Sequence, residues 1–272
     1  MDISIRGHRC VYEQAGEGPH LTLLHSVGLS TREGWRYQVA ALAKQFTVLT
    51  YDFRGLGQSE RGDGPLGVET FVRDLEALLR QLGIARTALM GVSLGGFVAQ
   101  EFTLRNPETV SSLVLVSTTS RIYEGHAARR AERNQKIRKG GMAAAAAHQL
   151  DSHFPAAFAN GNPDVMAWYR DRYLANDPEN YIEIMDDLGR FDSRERVGQI
   201  KCPTLIVAGG DDASSVAGRV PLDSARTLHR LIEGSALAVI DGGFHYPQID
   251  HAAAFNARVL EFLSEDRHVR AR

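Results

Sequence analysis

The sequence contains little of what marks disulfide-rich, redox or membrane proteins. Its 272 residues include two cysteines, Cys10 and Cys202, and no CxxC pair, so neither a zinc or redox motif nor a disulfide framework is expected. No apolar run approaches the ~20 residues that a membrane-spanning helix needs, and the first residues lack the apolar stretch of a secretion signal. These absences predict a soluble cytoplasmic protein without a membrane partner.

An excess of charge of either sign is also missing. Lys and Arg number 31 and Asp and Glu number 33, which gives a net charge of −2. A near-neutral chain has no bulk electrostatic attraction for nucleic acid. The sequence has no HExxH zinc motif and no GxGxxG motif after a predicted strand, so we expect neither a metal nor an organic cofactor. A small-molecule substrate is the partner that remains. No sequence pattern indicates a homodimer or excludes one, so the oligomeric state stays open.

What the sequence does contain is an alternation of short apolar runs and helical patterns. Hydrophobic residues make up 43% of the chain, which is ample for a buried core. Most of the runs are apolar throughout, as strands buried on both faces of a parallel sheet are. The alternation predicts an α/β fold with a doubly wound sheet, in which the active site lies at the carboxyl ends of the strands. The predicted strands are residues 21–25, 46–52, 86–91, 113–117, 204–209 and 236–241.

Residues 121–198, which we call the helical insert, break this alternation. They contain no convincing strand, and Pro163 and Pro178 stand at the first position of predicted helices, each after an Asn or Asp N-cap. The alanine-rich run 142–148 also favours helix by composition. An insert between two sheet strands would cover the site as a cap. The predicted α/β core then comprises residues 1–120 and 199–272.

The strongest chemical signal is 91-GVSLG-95, which matches G-x-S-x-G between a predicted strand and a predicted helix. In that context the serine occupies a strained turn that exposes its hydroxyl at the amino terminus of the helix. A chance match in a glycine-rich turn is the alternative, and the strand and helix on either side argue against it. Ser93 is therefore the predicted nucleophile.

A serine nucleophile needs a base and an orienting carboxylate. In this architecture the acid and then the histidine follow the serine along the chain. His245 comes just after the last predicted strand, so we predict it as the base. Asp211 and Asp212 both follow the strand before it, and the residues by themselves do not choose between these two acids.

Attack on a carbonyl also requires an oxyanion hole built from backbone N–H groups. The residue after the nucleophile, Leu94, is one predicted donor, and the loop after the first buried strand supplies the other. Within that loop, 25-HSVGLS-30, Val27 is the predicted donor and Gly28 is predicted to allow a tight turn. If the serine motif were absent, this loop would be an ordinary strand-to-helix connection.

Segments along nearly the whole chain carry a family resemblance: 25-HSVG-28, 52-DFRGLGQS-59, 91-GVSLGG-96, 117-STTSRIYEG-125, 138-RKGGMAA-144, 203-PTLIVAGGDD-212 and His245. They resemble the α/β-hydrolase superfamily and, within it, the 3-oxoadipate enol-lactonases. The resemblance implies an α/β-hydrolase fold with an inserted helical cap, and a structural role for the turn 52–59. It also implies Asp212 as the acid, because the family usually places it three residues after the glycine that ends its strand, here Gly209.

Two features of the insert bear on the substrate. Residues 121–139 carry seven Arg or Lys and two Glu, a local net charge of +5 that begins with Arg121 near a predicted strand end. This charge would attract a carboxylate, whereas the alternative is a solvated helix face. His153, which stands where we expect tryptophan in the lactonases, and Trp168 complete the candidate substrate-binding residues. The helical spacing of Trp168 is also typical of the insert's own core.

The sequence thus predicts a serine hydrolase that cleaves a small ester or lactone, with Ser93, His245 and Asp212 as its triad. The same triad and cap would also serve a carboxylesterase, a C–C bond hydrolase or a perhydrolase, because fold does not determine function. A non-hydrolytic enzyme of the superfamily, such as a lyase or a cofactor-independent oxygenase, would use the same scaffold, and so would a catalytically silent ligand receptor. The motifs do not favour the receptor, because the serine, the histidine and an aspartate are all present.

Overall fold

The computed structural model of the chain describes residues 1–29, 31–122, 127–144, 146, 153–212 and 221–270. The strands within these ranges are β1 (Asp2–Ile5), β2 (His8–Ala15), β3 (His20–Leu24), β4 (Thr47–Tyr51), β5 (Thr87–Val92), β6 (Val110–Val116), β7 (Thr204–Gly209) and β8 (Ala236–Ile240). They form one sheet in the order β1-β2-β4-β3-β5-β6-β7-β8. Strands β3 to β8 pair in parallel, so the predicted mostly parallel α/β sheet is confirmed.

The amino-terminal hairpin of β1 and β2 is missing from the sequence-based prediction. These strands pair antiparallel through a turn at Arg6 and Gly7, whose φ angles are 45° and 81°. Strand β2 also pairs antiparallel with β4. Most side chains of β2 are only partly buried, so its sequence has no continuous apolar run that would predict a strand. Pairing on both sides, rather than local composition, makes this segment a strand.

The register of the central strands brings their carboxyl ends to the same edge of the sheet. Leu24 in β3 lies opposite Gly91 in β5, Val92 lies opposite Val116 in β6, and Val116 lies opposite Val207 in β7. Strands β5 and β7 are buried along their whole length, which explains why their sequences are apolar throughout. The loops after these strands therefore meet at one edge, and the predicted site residues lie in those loops.

The helices of the described residues are α1 (Thr31–Gly34), α2 (Arg36–Leu42), α3 (Val68–Gln81), α4 (Leu94–Arg105), α5 (Ala127–Gly140), α6 (Ala156–Gly161), α7 (Pro163–Leu174), α8 (Pro178–Leu188), α9 (Pro221–Leu231), α10 (Pro247–Asp250) and α11 (Ala252–Arg270), with a 3₁₀ turn at Val197–Gln199. Helix α3 buries Phe71, Leu75 and Leu78, which repeat at helical spacing in the sequence. None of the helices in the described part of the chain combines the length and the apolar composition that crossing a membrane requires.

Helices α5 to α8 belong to the helical insert, which follows β6 and precedes β7. Helix α8 is fastened to the start of α3 by two acidic side chains. Glu183 accepts from the Leu66 N–H at 2.8 Å, and Asp187 accepts from the Val68 N–H at 2.9 Å. The second contact satisfies one of the N–H groups that a helix leaves without partners at its amino terminus, and the first holds the chain just before the helix.

Two local predictions for the insert have different outcomes. Pro163 and Pro178 do begin helices, but Asn162 does not cap α7, because its Nδ2 donates to the Phe158 carbonyl at 2.9 Å. The Asp before Pro178 does act as an N-cap, since the Asp177 side chain accepts from the Asn180 N–H. The helix predicted over 142–148 is described only in part: Ala143, Ala144 and Ala146 are helical, and residues 145, 147 and 148 lie outside the described residues.

Candidate active site

Ser93 occupies a sharp turn between β5 and α4. Its φ of 52° and ψ of −112° place a non-glycine residue at positive φ, a conformation that costs energy and is concentrated at functional sites. The turn also brings Gly95 so close to β3 that an added Cβ would collide with the Leu24 carbonyl oxygen. A strained serine on a turn that only a small residue permits is what G-x-S-x-G predicts in this context.

Hydrogen bonds connect this turn with the neighbouring loops. The Ser93 N–H donates to the Val116 carbonyl at 3.0 Å, and Thr118 Oγ1 donates to the Ser93 carbonyl at 3.2 Å. One strand further, the Ser117 N–H donates to the Val207 carbonyl at 3.0 Å. The loops after β5, β6 and β7 therefore form one continuous edge.

Asp212 and His245 meet at the far end of this edge, after β7 and β8. Asp212 Oδ2 lies 3.1 Å from His245 Nδ1, and the two side chains are 0% and 4% exposed. Asp211 is exposed instead, and its backbone N–H donates to the Gly243 carbonyl. The structure thus brings Asp212, rather than Asp211, to the histidine. With Nδ1 turned to a carboxylate, Nε2 is the ring nitrogen of His245 that can exchange a proton with a reacting group.

The loop after β3, which contains Val27, is held by His25. His25 Nδ1 donates to the Ser26 carbonyl at 2.6 Å, while Nε2 accepts from the Phe53 N–H at 2.9 Å. Complete burial lowers the pKa of His25, so the ring stays neutral in the tautomer that these two bonds require. Sequence reasoning missed this role, although His25 opens the HSVG segment that carries part of the family resemblance.

Gly28 is needed for a different reason from the one predicted. Its φ lies outside the left-handed region, so a tight turn does not explain the glycine. An added Cβ would lie 2.7 Å from Cδ2 and Cε2 of Tyr173, a buried residue of α7. Asn176 Nδ2 also donates to the Gly28 carbonyl at 3.3 Å. The glycine therefore permits close approach of the helical insert to the loop of Val27.

His153 is the predicted substrate-binding residue that the structure brings to the histidine of the site. Its ring stacks on His245, with the centroids 4.5 Å apart and the planes at 26°. The His153 side chain is buried, and its Nδ1 lies 2.9 Å from the Tyr169 hydroxyl. The hydroxyl of Tyr246, the residue after His245, lies 3.0 Å from Ser26 Oγ. Sequence reasoning missed Tyr246.

Arg121 and Trp168, the other two predicted substrate-binding residues, contact different partners. Arg121 forms a β-bridge with Asp192, and its Nε lies 3.7 Å from the Asp192 carboxylate. Trp168 is half-buried beneath the guanidinium of Arg36, whose Cζ lies 5.0 Å from the ring centroid. Neither contact involves Ser93 or His245.

Four of the seven basic side chains in the segment 121–139, those of Arg121, Arg130, Lys136 and Arg138, lie next to carboxylates of the insert. Arg130 lies 3.3 Å from the Asp186 carboxylate and Arg138 lies 3.3 Å from that of Glu179. Lys136 pairs with Glu132 one helical turn away. These contacts favour the interpretation of the segment as a helix face with local ion pairs.

Comparisons with known proteins indicate one family. A model of the alpha/beta hydrolase fold matches residues 19–252. The chain is 29% identical over 255 residues to the "Putative carbamate hydrolase RutD" of Rhizobium rhizogenes, covering 92% of this chain and 95% of that protein. It is 26% identical over 249 residues to 3-oxoadipate enol-lactonase 2 of Acinetobacter baylyi, covering 91% and 90%. The crystal structure of the enol-lactonase from Burkholderia xenovorans LB400 matches with a TM-score of 0.88 and 30% identity, over 97% of this chain and 100% of that one.

Proposed function

Because the chain belongs to the alpha/beta hydrolase fold family, we propose that it is a serine hydrolase that cleaves a small ester or lactone through an acyl-enzyme. In this proposal Ser93 is the nucleophile, His245 transfers its proton, and Asp212 orients His245. The N–H groups of Val27 and Leu94 hold the oxyanion. The observation that carries the proposal is the positive φ of Ser93, because strain of this kind persists only where the surrounding structure imposes it.

The proposed reaction begins when Ser93 Oγ attacks the substrate carbonyl and its proton passes to His245 Nε2. The imidazolium that forms is stabilised by Asp212, whose Oδ2 already lies 3.1 Å from Nδ1. The tetrahedral oxyanion accepts from the Val27 and Leu94 amides, and its collapse releases the alkoxide, which takes the proton from His245. Water, activated by the same histidine, then hydrolyses the acyl-enzyme.

A lactone fits this proposal as the substrate class. When a lactone ring opens, the leaving alkoxide stays attached to the acyl group, so the site must hold both ends of one small molecule. The resemblance of the sequence to enol-lactonases supports this choice, and so does the 30% identity with the Burkholderia xenovorans LB400 enzyme. We also assign the covering of this substrate to the insert 121–198, since Tyr173 packs on Gly28 and His153 stacks on His245.

A carbamate is the second candidate substrate. The observation that favours it is the 31% identity, over 258 residues, with the RutD protein of Klebsiella pneumoniae, whose name includes carbamate hydrolase. A carbamate carbonyl would meet the same nucleophile and oxyanion donors. It differs from an ester only in having a nitrogen, instead of a carbon, on the acyl side of the carbonyl. The triad therefore does not separate the two candidates, and a substrate panel does.

The test is pH-stat hydrolysis by the wild type and by Ser93→Ala. The panel contains 3-oxoadipate enol-lactone, simple γ- and δ-lactones, an acyl-homoserine lactone, short p-nitrophenyl esters and a simple alkyl carbamate. We expect fastest turnover of the enol-lactone and loss of at least about 10³-fold in Ser93→Ala. Retained hydrolysis by Ser93→Ala would refute the nucleophile. Fast turnover of neutral esters or of the carbamate, with the enol-lactone ignored, would leave the triad in place and overturn the lactonase assignment.

Reaction with a fluorophosphonate probe adds a test that needs no substrate. Such probes phosphonylate an activated serine with loss of fluoride. Labelling at Ser93 is expected for the wild type and not for Ser93→Ala. An unlabelled wild type would favour a catalytically silent receptor or a non-hydrolytic enzyme over the proposed hydrolase.

A further inference from the structure

The stacked rings of His153 and His245 indicate a role for a residue outside the triad. We infer that His153 is a positioning residue, which holds the plane of the His245 imidazole so that Nε2 faces the nucleophile. This inference rests on the proposed function, in which His245 is the base. It replaces the sequence-based prediction that His153 binds substrate.

The hydrogen bond to Asp212 does not by itself hold the His245 ring. The ring rotates about its Cβ–Cγ bond, and the bond at Nδ1 still permits the range of ring angles over which a hydrogen bond survives. The stack with His153 blocks that turn from one face, at 4.5 Å and 26°. Tyr246 meets the ring edge-on, with the centroids 4.9 Å apart and the planes at 71°. Together with Asp212, these contacts determine the direction of Nε2.

His153 is itself held by the insert. Its Nδ1 lies 2.9 Å from the Tyr169 hydroxyl, and its ring meets the Tyr246 ring at 5.2 Å and 88°. Complete burial keeps the pKa of Tyr169 well above its usual value, so the phenol remains neutral and available as a hydrogen-bond partner at any working pH. A side chain can hold a neighbouring ring in place only when its own rotamer is locked, and burial and the hydrogen bond to Tyr169 lock that of His153.

The hydrogen bonds that hold His153 also reach the loop of Val27. The Tyr169 side chain hydrogen-bonds to Tyr246, whose hydroxyl lies 3.0 Å from Ser26 Oγ, next to Val27. The insert, the loop after β8 that contains His245 and the loop of Val27 are thus joined through buried hydroxyls. The chemical consequence lies in the attack step, because the Ser93 proton passes to Nε2 there and this transfer requires Nε2 to point at the nucleophile.

The test measures the rate of Ser93 labelling by the fluorophosphonate probe in His153→Leu and His153→Phe. Leucine removes the ring, whereas phenylalanine keeps a flat ring and loses only the tether. We expect labelling about tenfold slower than wild type in His153→Leu, which loses the ring contact, and about threefold slower in His153→Phe, which loses only the tether. On any ester that the wild type hydrolyses, kcat should fall in His153→Leu with KM unchanged.

The matched control is Phe158→Leu. Phe158 lies in the same part of the insert and stacks on Phe154 at 5.6 Å, so this variant removes an aromatic ring of the insert without touching His245. Its labelling rate should equal that of the wild type. Equal rates in His153→Leu and wild type would overturn the inference, and so would a His153→Phe variant as slow as His153→Leu. Failure of wild-type labelling would instead count against the proposed function.

If His153→Leu does not fold, Tyr169→Phe decides the question, because it removes only the hydroxyl that tethers His153. Labelling about threefold slower than wild type would support the inference, as expected for loss of one hydrogen bond to a supporting side chain. An unchanged labelling rate would overturn it.

Discussion

The guanidinium of Arg54 lies against the carboxylate of Asp74, with Nε donating to Oδ2 at 2.8 Å and Nη2 donating to Oδ1 at 2.7 Å. The two side chains are only 3% and 2% exposed. Arg54 belongs to the turn 52–59, in which Asp52 also accepts from the Gln58 N–H at 2.9 Å. The pair fastens that turn to α3, in agreement with the structural role that the family resemblance implies for it.

Loss of one partner of this buried pair should strongly destabilise the fold. In Asp74→Asn, Arg54 would remain buried without its counter-charge, and we expect a loss of about 3–5 kcal/mol in the free energy of unfolding. Urea unfolding measures it. The control is Asp223→Asn, which removes an exposed ion pair with Arg226 and should cost no more than about 1 kcal/mol. Similar losses in the two variants would contradict the prediction.

His8, which lies 3.9 Å from the same carboxylate of Asp74, should make the protein less stable in mild acid. Burial lowers the pKa of His8, and this effect is larger than the rise in pKa that the negative charge of Asp74 causes. Below about pH 6.5 the unfolded chain therefore binds a proton that the folded protein does not yet accept, so stability falls as pH falls.

For one such histidine, the free energy of unfolding should change by at most about 1.4 kcal/mol per pH unit. Urea unfolding between about pH 7.5 and pH 5.5 should show a smaller loss of stability in His8→Leu than in the wild type, since leucine has no proton to bind. The same slope in both proteins would show that His8 does not contribute.

The two adjacent aspartates should differ sharply in their effect on activity. Asp212→Asn removes the carboxylate that lies 3.1 Å from His245 Nδ1, and we expect kcat/KM for an ester substrate to fall by roughly 10³–10⁴-fold. Asp211→Asn alters an exposed side chain and should stay within about threefold of wild type. The reverse order would transfer the orienting role to Asp211.

Gly28→Ala should weaken the contact between the insert and the loop of Val27. The new methyl group would lie 2.7 Å from the buried Tyr173 ring, and overpacking of this kind costs about 1–3 kcal/mol. We expect a lower melting temperature and, because Val27 is adjacent, a lower kcat.

Gly161→Ala is the control for this substitution, since it adds a methyl group within α6 where no atom lies within 4 Å. Gly161→Ala should leave kcat unchanged, and it should leave the melting temperature unchanged or raise it slightly. Combining Gly28→Ala with Tyr173→Leu should restore part of the lost kcat. A Gly28→Ala variant with wild-type kcat would refute the proposed packing constraint.

Arg121 provides a test of whether the substrate is an anion. If Arg121 anchors a carboxylate, Arg121→Ala should raise KM for anionic substrates by about fivefold and leave neutral esters unaffected. Asp192→Asn should lower KM for the same anions, because Asp192 lies 3.7 Å from Arg121 Nε and competes for it. Equal effects of Arg121→Ala on anionic and neutral substrates would remove Arg121 from the substrate site.

Much of this protein could be predicted from local patterns. Strands buried on both faces are apolar throughout, and the helix α3 repeats apolar residues at helical spacing, so neither needs tertiary information to be found. The same holds for Ser93, whose strained turn demands a glycine-rich sequence between a strand and a helix. The hairpin β1–β2 escaped prediction because its strands are short, partly exposed and stabilised by pairing with distant partners.

By itself, the sequence determined the six parallel strands of the sheet, the family resemblance and the positions of Ser93 and His245 at strand ends. Only the tertiary structure decided which aspartate reaches His245, what Gly28 approaches and what lies on the His245 ring. Each of these contacts joins residues that are distant in the chain, as Asp212 and His245 are, 33 positions apart. Local sequence encodes the conformation of a segment, whereas the partners of a side chain depend on how the packed core brings separate segments together.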